Sequence, residues 1–179
     1  MRQLKIAGKV IEVSEVYFLN TISNLVKGYY VLAEAYYNYH FSGFADWKDI
    51  FQITDVGQNE VVEALADQID DQELIKTFGS MRKQLKEIQV VDREIIDWLA
   101  KLVGLSSVRD QKEKNKLGRQ LRKIVGGGPD GRTQGPVWAL HPEYQELVAK
   151  SKLILVQMEE TQQRINQRIH QLLENLNDI

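Results

Sequence analysis

After Pro142 the chain contains neither glycine nor proline up to its last residue, Ile179. Within that stretch apolar residues recur at Tyr144, Leu147, Ile154, Met158, Ile165, Ile169, Leu172, Leu176 and Ile179. The gaps are threes, fours and sevens, which place these side chains on one face of an α-helix. Pro142 suits the first turn, and Glu143 and Glu146 suit the positive end of the helix dipole. At 1.5 Å per residue such a helix is roughly 50 Å long, longer than a small domain is wide. It must lie along other helices or along a copy of itself. Leu153 to Val156 is apolar all round and calls for cover on several sides. Beyond it Gln162, Gln163, Arg164, Asn166, Gln167, Arg168 and Gln171 narrow the stripe to that of a coiled coil. Met158, Ile165, Ile169, Leu172 and Leu176 are therefore expected to form an oligomer seam.

A chain of 179 residues can bury one real core and still extend a helical arm. With 43% hydrophobic and 27% charged residues it reads as globular, and no apolar run nears the roughly 20 residues that cross a bilayer. Cysteine is absent, so disulfides and thiolate metal sites are excluded. The first residues lack the apolar run of a signal peptide, and the expected location is cytoplasmic, with no membrane partner.

The rest of the chain also reads as helices, giving an expected mainly all-α, multi-helix bundle. Residues 1–13 suggest a lead-in or small hairpin around Gly8. Residues 14–140 read as the bundle and 141–179 as the long packing helix. Ser14 caps a helix with Val16, Leu19, Ile22, Val26, Tyr29, Ala33 and Tyr36 on one stripe. Its second half is rich in tyrosine, which suits a helix–helix interface with hydroxyls at the wet rim. Residues 41–58 read as a connector. Asn59 caps a helix with Val61, Val62, Leu65 and Ile69 inward. Asp70 or Asp71 caps the next, with Leu74, Ile75, Phe78, Met81, Leu85 and Ile88 inward. Gly79 predicts a break or kink there, and Asp92 a new helix closed by Gly104. Ser106 or Ser107 caps a basic helix whose Val108, Leu117, Leu121, Ile124 and Val125 point inward. The glycine-rich stretch 126–136 reads as an exposed loop.

The net charge is only −2, but it is unevenly spread. Residues 46–75 hold nine acids against one lysine, and residues 101–132 nine bases against three acids. Such asymmetry suits two segments that face each other, within the fold or between copies, or a basic surface for nucleic acid. The candidate contacts, to nucleic acid or to an acidic partner, are Lys112, Lys116, Arg119, Arg122, Lys123 and Arg132. Gly126 to Gly131 spells G-x-G-x-x-G, but it follows a helix and contains Pro129, so it is no dinucleotide fingerprint. His40, His141 and His170 have no convincing second metal ligand nearby in sequence.

Residues 91–140 resemble a winged helix-turn-helix: a helix, a turn, a basic helix, a glycine-rich tip and an apolar stretch with Trp138. That resemblance, to a fold pattern without a family motif, implies a small β element near 126–140 and a recognition role for 108–132. The spacing of Arg164 and His170 resembles that of HEPN-type helical ribonucleases, with Ile165 where a polar residue usually follows the arginine. No cofactor or catalytic residue emerges. The leading expectation is a non-enzymatic interaction or assembly subunit that pairs with itself or with another helical protein. The alternative is a nucleic-acid-binding protein using 108–132 and dimerised by its last helix. A HEPN-type ribonuclease comes third.

Overall fold

A computed structural model describes residues 1–38, 60–106, 108–124 and 140–177. Among them are one hairpin, β1 (Arg2–Ile6) and β2 (Lys9–Val13), and five helices. The helices are α1 (Glu15–Asn38), α2 (Glu60–Asp67), α3 (Gln72–Leu102), α4 (Gln111–Ile124) and α5 (Pro142–Asn177). The protein is mainly all-α, with a long C-terminal helix and a small two-stranded sheet.

Three helices make the body. Ser23 of α1 reaches Asn166 of α5, and Lys152 of α5 lies over the Tyr37 ring, so these helices run antiparallel. Thr161 donates to Gln84, and the Trp98 indole to Glu143, which makes α3 and α5 antiparallel too. α1 and α3 are therefore parallel, with Tyr29 against Phe78 and Gln89 against the Tyr36 hydroxyl. The core between them holds Phe18, Leu19, Ile22, Val26, Tyr29, Leu32, Phe78, Met81, Leu85, Ile88, Met158 and Ile165, all nearly or wholly buried. α1 is the shortest of the three and ends level with the middle of α3. From there on α4 takes its place, and a second core forms from Ile95, Ile96, Leu99, Val108, Leu117, Leu121 and Tyr144.

Capping fixes the starts of the body helices. The Ser14 hydroxyl accepts from the Tyr17 amide at 3.0 Å, and the Asp71 carboxylate from the Leu74 amide at 3.1 Å. At the end of α3 the Leu105 amide reaches the Ala100 carbonyl at 2.8 Å, with Gly104 at φ +78 turning the chain. The hairpin turns at Ala7 (φ 52) and Gly8 (φ 77), the paired positive φ of a tight hairpin turn. Leu4 plugs the hairpin into the core. Arg2 pins it: its guanidinium donates to Glu15 at 2.6 and 2.9 Å, to Asp70 at 2.9 Å and to the Gln68 carbonyl, and lies 4.1 Å over the Phe18 ring.

Several expectations need correction. α3 runs unbroken through Gly79 and Asp92, because its buried stripe is continuous from Leu74 to Leu99. Packing of that stripe outweighs the roughly 1 kcal/mol propensity cost of the glycine. Asp92 is thus a buried mid-helix residue and starts nothing. Val16, Val61 and Ile75, expected inside, are 47%, 41% and 43% exposed, at helix ends where cover runs out. The connector 41–58, Asn59 and the β element expected near 126–140 fall outside the described residues, apart from Leu140.

Met158, Ile165, Ile169, Leu172 and Leu176 are covered within the chain. Met158 and Ile165 are fully buried, Ile169 is 4% exposed, and Leu172 and Leu176 pack half-buried against the same core. The polar residues flanking the stripe make it narrow, and α1 and α3 are enough to cover a narrow stripe. Leu172 and Leu176 keep part of their surface open.

Candidate functional site

The structure places Lys101, Arg109, Lys112, Lys116 and Arg119 at one end of the body. α4 begins at Asp110, whose carboxylate accepts from the Glu113 amide at 2.8 Å and whose carbonyl accepts from the Lys114 amide. The cap is Asp110, later than the Ser106 or Ser107 suggested by sequence, because Val108 must enter the core before the helix starts. With Leu117 and Leu121 fully buried against α3, the orientation of α4 is fixed. Lys112, Lys116 and Arg119, at i, i+4 and i+7, then share the exposed face. Arg122 and Lys123 belong to the last turn of α4, and Arg132 lies outside the described residues.

Lys114 is different. It sits partly buried beside Asp92 of α3, which is 6% exposed. Burial pushes the Lys114 ammonium below the ordinary lysine range, with the Asp92 charge acting in the opposite sense. This lysine docks α4, whereas the exposed ones are available to a partner.

Next to α4, the C-terminal turns of α3 and the turn that follows form a cleft of about 570 Å³ lined by Arg93, Asp97, Lys101, Ser106 and Arg109. Arg93 is 3.6 Å from Asp97. Among the described residues Lys101, Arg109, Lys112, Lys116 and Arg119 make no ion pair. Four of the described acids of the 46–75 segment are occupied elsewhere. Glu63 pairs with Arg82, Asp70 with Arg2, and Asp71 and Glu73 with Arg168. Asp71 and Arg168 form a two-pronged contact at 2.7 and 3.0 Å.

The two described histidines give no metal centre, and His40 lies outside the described residues. His170 meets Glu174 at 3.0 Å on an exposed face, and His141 lies edge-on to Trp98 at 5.0 Å. No group of three His, Asp or Glu side chains could hold a metal among the described residues. Arg164 is exposed on α5, about 1.7 turns from His170. None of the described helices is long and apolar enough to cross a membrane.

Sequence reasoning overlooked two features. The cleft joins Arg93 to Arg109 across sixteen positions, and only the charge count of 101–132 hinted at it. On the flank of the body, Val90 and Leu153 stand 58% and 60% exposed along a shallow groove between α3 and α5. Compared with known protein families, curated proteins and solved structures, the chain matches none.

Proposed function

We propose that this protein is a non-enzymatic, cytoplasmic binding module that engages nucleic acid through the exposed face of α4 and the neighbouring cationic cleft. One observation carries the reading: Lys112, Lys116 and Arg119 line one exposed helix face without ion pairs among the described residues, while Glu63, Asp70, Asp71 and Glu73 are held by Arg82, Arg2 and Arg168. A helix face with cations at i, i+4 and i+7 presents charges spaced to follow a phosphate backbone. The net charge of −2 does not oppose this, since affinity for a polyanion follows the local field of the contacting surface.

The test is the salt dependence of binding to duplex and single-stranded oligonucleotides. Each neutralised phosphate of a duplex adds about 0.9 to the slope of log K against log salt, so three to five contacts give slopes between about −2.7 and −4.5. Replacing Lys112, Lys116 and Arg119 together by Gln should flatten the slope and leave the melting temperature unchanged. No binding to either form at about 150 mM salt would end this reading. A second reading, an assembly subunit, rests on the exposed Val90 and Leu153. It survives that outcome.

A further inference from the structure

Two apolar side chains stand out to solvent at the same level of adjacent helices: Val90 on α3 and Leu153 on α5. They edge an open groove of about 460 Å³ whose floor is Val91 and Ile154. The cross-helix hydrogen bonds Thr161–Gln84 and Trp98–Glu143 fix the register, since their residue numbers add to 245 and 241. A residue of α3 is therefore level with the residue of α5 that completes a sum near 243. Val90 is level with Leu153, Glu94 with Lys150, and Lys83 with Glu160. All six are exposed. The four charged ones make no ion pair within the chain among the described residues.

We infer that this face binds a second copy of the chain, about a two-fold axis parallel to α3 and α5. Such an axis keeps every residue at its own height while laying α3 of one copy on α5 of the other. The contact is self-complementary. Val90 meets Leu153 of the partner subunit, Glu94 meets Lys150 of the partner subunit, and Lys83 meets Glu160 of the partner subunit, each twice. At each level a partner of uniform charge would meet one attractive and one repulsive group, whereas a second copy offers the opposite sign to both. The match stops at Asp97, which is level with Glu146 and is occupied by Arg93. From Lys83 to Glu94 the matched stretch is only about 17 Å long, smaller than a standard stable interface, so the dimer is of the weak, micromolar kind. The same axis places both α4 helices at the same end of the dimer, on its two outer faces.

The experiment is sedimentation equilibrium of the full chain, without nucleic acid, from about 5 to 500 µM. A monomer–dimer equilibrium is expected in that range, and Leu153→Asp should raise its Kd at least tenfold. Glu94→Lys alone should weaken the dimer, and Glu94→Lys with Lys150→Glu should restore it. Circular dichroism of each variant should match the parent, since all three positions are exposed. Because the chain has no cysteine, Val90→Cys and Leu153→Cys chains can be mixed and oxidised, and should cross-link to each other more than either does to itself. A monomer throughout the range overturns the inference, as does a dimer indifferent to Leu153→Asp or a charge swap that does not rescue. None of these outcomes bears on nucleic-acid binding.

Discussion

Asp71 serves two structures at once. It caps α3 through the Leu74 amide and ties α3 to the far end of α5 through Arg168. The Arg168 guanidinium, more than the cap, holds the Asp71 carboxyl below the usual carboxylate range, against a desolvation cost. A carboxyl depressed on folding stabilises above its unfolded pKa and loses that contribution as pH falls through the folded one. Asp71→Asn keeps the capping oxygen and loses the charge. Its deficit relative to the parent should therefore be constant at neutral pH and shrink below about pH 4 in denaturant titrations. Asp71→Ala loses the cap as well, for a further cost of about 1 kcal/mol. Gly79 makes the opposite case. It is exposed within α3, and a Cβ there would touch nothing within 4 Å. Gly79→Ala should raise stability by about 0.4–1 kcal/mol, read as a higher urea midpoint at an unchanged m-value. Asp71 could be read as a cap from its place before an apolar stripe, but its partner 97 positions away could not. The glycine misled because propensity is local, and the packing that overrules it is not.

At the scale of elements, α4 is the most dependent on its neighbours. Fourteen residues are too few for a stable isolated helix, so it persists by burying Val108, Leu117 and Leu121 and by docking Lys114 beside Asp92. Leu117→Ala should cost about 2–5 kcal/mol. Hydrogen exchange should show the α4 amides losing protection, with those of α1 and the hairpin least affected. Loss of protection spread evenly over all helices would mean that the two cores do not open separately. Leu117 and Leu121 were legible as inward because the remaining positions from 111 to 123 are polar, six of them lysine or arginine, apart from Gly118. The fate of the α5 stripe was not. Periodicity shows that Met158, Ile165 and Ile169 need cover, and it carries no information on which chain supplies it. Here α1 and α3 supply it, while Val90 and Leu153, open on the flank, look in sequence like ordinary members of buried stripes.

For the whole molecule, the handover from α1 to α4 along the shared α3–α5 pair has a kinetic consequence. The second core draws its buried residues from Val91 to Tyr144, a short span of chain. The first joins Leu4 and Phe18 to Ile165 and Ile169, nearly the full length. Closing the longer loop costs more entropy before any contact rewards it. The nucleus should therefore form around α3, α4 and the start of α5, with α1 and the hairpin added afterwards. In stopped-flow refolding Leu117→Ala should slow folding in proportion to the stability it removes. Ile22→Val should leave the folding rate nearly unchanged and speed unfolding. A chain that assembles in this order completes its cationic end first, so the α4 surface is the earliest native-like one that the protein presents to its surroundings.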